Sequence, residues 1–124
     1  MKKFLLTVIL LSFLTANVLA HGSNDVILHG FLIDNKSAQE HKNNLVEFVK
    51  TNQKSALLEP DHVNSGYSIL AQEDNHLYVF DSESNKTVET FLKGSGNRTD
   101  VVIIAEKNGA ALMIEHIANR RIIQ

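Results

Sequence analysis

The sequence contains six histidines and no cysteine, so imidazole, not thiolate, is the strongest metal-binding group that the chain offers. A cleavage after Ala20 would make His21 the first residue of the mature protein. A terminal amine and its own imidazole can chelate copper together, and His62 in the loop pair Asp61-His62 is the best second ligand. The histidines lack H-x-H and H-x-x-x-H spacing, however, so a solvated or structural role competes with a copper site at His21 and His62.

Carboxylates offer a second chemistry, because Asp34, Asp61, Asp81 and Asp100 stand at the ends of predicted strands. General acid–base catalysis needs two such groups with different pKa values. An aspartate at a strand end also caps the turn that follows, and this structural role suits Asp34 and Asp81. The chain has neither a cysteine nucleophile nor a G-x-S-x-G motif. A small hydrolase is therefore only the third candidate function, and the sequence favours no catalytic residue.

Aromatic residues are the candidate ligand-binding groups. Tyr67, Tyr78 and Phe80 lie in predicted strands, where they would either contact a ligand or pack in the core. In proteins that bind nucleic acids, such rings stack on bases while basic residues follow the backbone. The stretches EDN and DSES flank these rings, and the chain has a net charge of -2, which excludes nucleic acid as a partner. The remaining candidates are a protein, a peptide or a small molecule.

The beginning of the sequence predicts an export signal over residues 1–20. Two lysines precede the apolar run Phe4–Leu14, and Val18 and Ala20 are small residues at the positions that a signal peptidase reads. The run is shorter than the roughly 20 residues that span a bilayer, so we expect no stable membrane anchor after cleavage. The sequence thus predicts a single periplasmic or secreted domain over residues 21–124.

The first half of this domain combines a strand and a helix. Val26–Asp34 is apolar on both faces, which is typical of a strand buried on two sides. Gly30 within it indicates a bulge, a bend or the close approach of another backbone. Ala38–Thr51 predicts one amphipathic helix, with Ser37 and Glu40 as its capping box. The following ALLEPDHVNSG is predicted to be irregular because proline and Ser-Gly interrupt it.

The second half predicts four strands and a short helix. Gly66–Gln72 and His76–Asp81 form one strand pair, and a final hairpin turns near Asn108-Gly109. Ser82–Gly94 between the two pairs has helical spacing and a terminal glycine. With the first helix regarded as an insertion, the order is that of a mainly β, five-stranded OB-like barrel with a short helix between strands 3 and 4. The alternative is an α+β roll with the same strands in an open sheet.

Five motifs occur in order between Gly30 and Ile117: GFLIDNKSA, QKSALLEP, SGYSIL, LYVFD and VVIIAEKNGAALMIEHI. Together they resemble a family of small secreted bacterial OB-fold-like domains without an established activity. That family's pattern is G-[YF]-x-x-D-x-x-C-A, then C-A-L, S-G-[YF] and Y-x-F-D. The resemblance implies the barrel more than it implies a function.

The chain departs from this pattern at the cysteines of the family. Ser37 and Ser55 occupy two of these positions, each still followed by alanine, and a third falls near Asp61 or His62. The resemblance therefore implies that Ser37 and Ser55 lie close in space, within the roughly 7 Å between Cα atoms that a disulfide allows.

Taken together, the sequence favours an exported, non-enzymatic binding or accessory module of the bacterial cell envelope that needs no cofactor. A periplasmic copper-binding protein that uses His21 is the alternative, and a small hydrolase is the third possibility.

Overall fold

The computed structural model describes residues 25–121, so the predicted signal peptide and His21 lie outside the described residues. Within this range the chain alternates between strands and short helices. None of these helices is long and apolar enough to cross a membrane. In chain order the elements are β1 (Asp25–Asp34), α1 (Asn35–Glu40), α2 (Leu45–Thr51), α3 (Lys54–Leu57), α4 (Pro60–Ser65), β2 (Tyr67–Ala71), β3 (Leu77–Val79), α5 (Ser82–Lys93), β4 (Asp100–Asn108) and β5 (Ala111–Asn119).

The strands form one antiparallel sheet in the order β3-β2-β1-β4-β5. β1 is central because its second half pairs with β2 and its first part pairs with β4. An isolated parallel bridge joins Phe80, directly after β3, to Leu112 of β5. The prediction of a mainly β fold with five strands and a helix between the third and fourth is confirmed.

Two-sided burial, which the apolar sequence predicts for all of β1, is found only in its second half, because Ile27 and His29 in the first half are exposed on one side. On one side, Leu28 and Leu32 of β1 pack in the main core with Val88 and Leu92 of α5. On the other side, α1 and α2 cover Ile33 in a second, smaller core. The helical segment between β1 and β2 thus covers the second core. Buried residues of this second core are Ile33, Ala38, Val49 and Leu70.

The prediction of one continuous helix over 38–51 is wrong. The chain leaves helical geometry after α1 and resumes it at α2, for which Asn44 is the N-cap residue. Lys42-Asn43-Asn44 explains the interruption, because asparagine competes for backbone hydrogen bonds and favours caps and turns over helix interiors. Ser37 is also not the cap: it lies inside α1, and its backbone N–H donates to the carboxylate of the real N-cap, Asp34.

The prediction of an irregular segment after α2 is wrong as well, because it contains α3 and α4. Pro60 occupies the beginning of α4, where its missing N–H would have had no partner within the helix. A residue expected to break a helix therefore starts one.

Two aspartates expected to cap turns at strand ends do so as helix N-caps. Asp34 accepts a hydrogen bond from the backbone N–H of Ser37, and Asp81 accepts one from that of Ser84, both at 2.8 Å. An N-cap of this kind satisfies one of the amide groups that the first turn leaves without a partner. These two contacts fix where α1 and α5 begin.

Candidate functional site

Asp34, Ser37 and His62 form the most buried polar cluster around the helical segment. The Asp34 carboxylate is fully buried, and its Oδ2 atom lies 2.9 Å from Nδ1 of His62. The hydroxyl of Ser37 lies 3.2 Å from the same nitrogen, while Oδ1 of Asp34 has no hydrogen-bond partner among residues 25–121. The cluster joins the end of β1 to α4.

These residue types are those of a Ser-His-Asp triad, but their arrangement differs. In a triad the aspartate accepts a hydrogen bond from Nδ1 of the imidazole, and Nε2 is left to take the proton of the serine hydroxyl. Here Asp34 and Ser37 both face Nδ1, while Nε2 of His62 lies 3.5 Å from the exposed carboxylate of Glu59. This geometry clamps α1 and α4 together and does not activate the serine.

The three positions that correspond to cysteines of the resembled family differ in their surroundings. Ser37 is buried, whereas Ser55 and Asp61 are exposed. Ser37 contacts His62, the neighbour of Asp61, which brings the first and third of these positions together. The proximity of Ser37 and Ser55 stays a prediction. The contact between positions 37 and 62 joins residues in two different short helices, a pairing that periodicity in the sequence does not indicate.

The three aromatic candidates occupy different environments. Tyr67 and Phe80 are buried in the main core, so neither presents its ring to solvent. The hydroxyl of Tyr67 donates to the carbonyl of Leu57 at 2.6 Å. Burial, with a smaller effect from the negative charges of Glu89 and Asp34, raises the pKa of Tyr67 to about 12. Of the two roles that the sequence left open for these rings, Tyr67 and Phe80 therefore have the role of core packing.

Tyr78 is the partly exposed member of the three. Its hydroxyl donates to Asp74 at 2.8 Å, and its ring stands edge-on to His76 with 4.5 Å between ring centroids. The hydrogen bond to Asp74 raises the pKa of Tyr78 and is also the main reason why the pKa of Asp74 is lowered. The contact holds the turn between β2 and β3 and leaves the ring at the edge of the sheet.

A trio of carboxylates lies at the far end of the sheet. Asp25, Glu106 and Glu115 place one oxygen each within 4.8 Å of one another, the only such group of possible metal ligands within residues 25–121. Asp25 and Glu106 are direct partners on β1 and β4, and Glu115 falls at a bulge of β5. This trio contains no histidine, so it differs from the copper site expected at His21 and His62. Acidic side chains gathered in this way repel one another.

A polar cleft of about 450 Å³ lies between the ends of β2 and β5. Its groups are largely paired: Nδ1 of His29 lies 2.8 Å from Glu73, and Arg120 contacts Gln72 and Asp100. Partial burial of the Glu73 carboxyl acts in the opposite direction, but the hydrogen bonds from His29 lower the pKa of Glu73 overall. Arg121 also lines the cleft. Because these groups pair with one another, the cleft connects the strand ends and offers few polar groups to a ligand.

A groove runs between α2 and the sheet. It comprises two adjoining hollows of about 300 and 380 Å³, which share Val46, Leu70 and Asn75. The first hollow is walled by apolar side chains and edged by three polar ones. Its lining residues are Phe31, Val46, Val49, Lys50, Leu70, Gln72 and Asn75. Ligand sites are typically concave and mostly apolar with a few polar groups, and this groove has that character.

The groove arises from the way in which α2 covers the second core. Val49 turns inward and is 3% exposed, whereas Val46 is left 37% exposed at the rim. The ring of Phe48 stacks on that of His41 with 3.7 Å between centroids, which holds the start of α2 against the preceding turn. The turn that separates α1 from α2 also borders the groove, because Lys42, Asn43 and Asn44 line its second hollow.

Comparisons of the chain with protein-family models, with curated proteins and with solved structures found no match. The resemblance to the OB-fold-like family therefore stays a prediction.

Proposed function

We propose that this protein is a small binding module and that the groove beside α2 holds its ligand. The observation that carries the proposal is the apolar wall of the groove, formed by Phe31, Val46, Val49 and Leu70, next to the ammonium group of Lys50. Within residues 25–121 Lys50 has no ion-pair or hydrogen-bond partner, so its charge is available to a ligand. The preferred ligand is accordingly a small amphipathic molecule with an apolar body and an anionic head.

The fold we propose is an OB-like barrel. The bridge between Phe80 and Leu112, together with the hydrogen bond from the Asp81 N–H to the Leu112 carbonyl at 2.9 Å, supports closure of the sheet between β3 and β5. The parallel direction of the Phe80–Leu112 bridge and the position of α5 between β3 and β4 agree with an OB-like barrel. The motif order from Gly30 to Ile117 supports membership of the OB-fold-like secreted family.

Export to the periplasm or the medium is part of the proposal. It is supported by the lysines, the apolar run and the small residues that precede His21. Copper binding and hydrolysis are the less favoured functions, because Nδ1 of His62 already faces Asp34 and Ser37 in a clamp. The groove gives the binding function a surface of its own.

Titration of the ¹⁵N-labelled protein with sodium octanoate tests the groove directly. We expect saturable shifts of the amide signals of Phe31, Val46 and Leu70. Val46→Glu introduces a charge into the apolar wall and should weaken binding at least about tenfold, since an unpaired charge in an apolar contact is costly. Val79→Glu is the matched control, because Val79 is similarly exposed, at 42%, but does not line the groove.

Comparing octanoate with octanol separates the charge interaction of Lys50 from the apolar contacts of the groove. Lys50→Gln should weaken octanoate binding about threefold to tenfold and leave octanol binding unchanged, because only the carboxylate gains from the ammonium charge. Shifts confined to signals outside the groove, or equal effects of Val46→Glu and Val79→Glu, would refute the proposed site.

A further inference from the structure

One part of the sheet presents an apolar surface to solvent on the side that α1 and α2 cover elsewhere. Side chains of β1, β4 and β5 alternate, so the neighbours of the buried Leu28, Val101 and Ile103 point outward. We call this surface the outer face. It consists of Ile27, His29, Val102, Ile104, Met113, His116 and Ala118, which pair across the strands.

The centre of the outer face is apolar and accessible. Ile27 is 59% exposed, the highest value among the large apolar side chains of residues 25–121. Ile104 is its direct partner on β4, and Val102 follows in the next outward position; both are half-buried. Ile27, Ile104 and Val102 are therefore neighbouring apolar side chains on an uncovered sheet face bordered by charges, as is found at contacts between proteins.

The two ends of the outer face carry opposite charges. At one end lie the three carboxylates of Asp25, Glu106 and Glu115. At the other end lie Arg120 and Arg121, next to the end of β5. The ends are six residues apart along β1, from Asp25 to Phe31 opposite Asp100, which corresponds to roughly 20 Å in a strand.

Nearby acidic groups reduce the positive charge of the arginine end. Asp100 lies 3.8 Å from Arg120, and Glu73 is paired with His29, so part of the positive end is neutralised within the chain. Arg98 adds a third guanidinium there, which donates to the backbone carbonyl of Arg120. The arginine end therefore keeps positive charge.

We propose that the outer face binds the same face of a second copy of this chain, with the carboxylate end of each copy over the arginine end of the other. A two-fold axis that lies in the interface and runs across the strands produces this opposed arrangement. Ile27, Ile104 and Val102 of both copies then meet at the centre. The carboxylates of Asp25 and Glu106, which are direct partners on β1 and β4 within one copy, then face arginines in two symmetric contacts. The proposal is independent of the octanoate groove, which is centred on α2 and lies beside this face.

Sedimentation velocity of the purified protein at rising concentration tests the association. We expect a monomer–dimer equilibrium that tightens at low ionic strength, because the charged contacts lie at an accessible rim. Ile27→Glu should abolish the dimer and leave the melting curve of the monomer close to that of wild type. Val79→Glu, an equally polar change on another surface, should leave the dimer intact.

A charge exchange tests the orientation. Glu106→Lys and Arg121→Glu should each weaken self-association at least about tenfold, since each creates two repulsive contacts in the symmetric dimer. Mixing the two variants should restore the dimer as a heterodimer. In it the new lysine of one variant meets the new glutamate of the other, and the second contact keeps its native arginine and glutamate. A protein that stays monomeric at all concentrations, a dimer insensitive to Ile27→Glu, or a mixture of the two charge variants that fails to associate would each overturn the proposal.

Discussion

Replacing Gly30 with alanine tests the most crowded point of the sheet. An alanine Cβ at this position would lie 2.1 Å from the carbonyl oxygen of Leu70 and 2.9 Å from its carbonyl carbon. These are backbone atoms of β2, so they cannot turn away as the end of a flexible side chain would. The neighbouring strand must instead recede by about 1 Å before the contact becomes an ordinary close one.

A displacement of this size lengthens the hydrogen bonds that join β1 to β2. The Gln72 N–H donates to the His29 carbonyl at 2.7 Å, one residue from the collision, and a bond lengthened by about 1 Å no longer qualifies as a hydrogen bond. Losing one or two such bonds costs about 1–2 kcal/mol, and the strain of an overpacked core adds about 1–3 kcal/mol. The smaller entropy of the unfolded alanine chain returns about 0.4–1 kcal/mol. We therefore expect a net loss of about 2–4 kcal/mol.

Urea unfolding followed by circular dichroism measures this loss, and a calorimetric scan should show a melting temperature lower by roughly 10–25 °C. Gly109→Ala is the matched comparison. Gly109 has a φ of +66° and no atom within 4 Å of the position that a Cβ would take, so it reports the cost of the backbone conformation alone, about 1 kcal/mol. If Gly30→Ala proves no more destabilising than Gly109→Ala, then β2 yields easily and the reasoning from close backbone approach is wrong.

Two further predictions concern the helical segment and the polar cleft. Tyr67→Phe should lower the free energy of unfolding by about 1–3 kcal/mol, because the buried carbonyl of Leu57 loses its hydrogen-bond donor. Tyr78→Phe, which removes an exposed hydrogen bond to Asp74, should leave the free energy of unfolding nearly unchanged. Urea titrations of the two variants make the comparison, and equal losses would contradict the stabilising role of the Leu57 contact. Since the folded-state pKa of Glu73 is lowered, its stabilising effect is present above its ordinary value of 4.5 and disappears as the pH falls through the folded-state value. Wild type should accordingly exceed Glu73→Gln in stability at pH 7 by less than about 1 kcal/mol, given the half-exposed carboxyl. The difference measured by urea unfolding should shrink as the pH falls below 4.5 and vanish once Glu73 is protonated in the folded state; a difference that grows on acidification would have the wrong sign.

The strands were predictable because their signals are local. Each signal depends on only a few residues or on one backbone atom. The signals are the apolar pattern of Val26–Asp34, the turn at Asn108-Gly109 and the single glycine, Gly30, within a strand. A capping role for Asp34 and Asp81 was predictable for the same reason, but it was expected at turns, and Ser37 was expected as the helix cap in place of Asp34.

The helical segment and the groove were less predictable. Residues 38–51 have helical spacing throughout, and this spacing outweighs, as a sequence signal, the preference of Asn43 and Asn44 for caps and turns that accompanies the break before α2. Tyr67 lies in β2 and Phe80 directly after β3, and aromatic residues at such positions face a ligand or the core with the same sequence pattern. Which side they face depends on where α5 and β5 lie, and those elements are distant in the chain.

The central position of β1 also governs when the chain can fold. β1 needs β4 on one side, and the residues that pair with it are separated by about 70 to 80 positions along the sequence. Until residues 100–108 have been synthesised, β1 has only one neighbour and the main core lacks Val101 and Ile103. A nascent chain stopped before β4 should therefore remain sensitive to protease, because long-range strand pairing cannot begin before its partner exists. The order of synthesis thus keeps the sheet around β1 incomplete until residues 100–108 emerge.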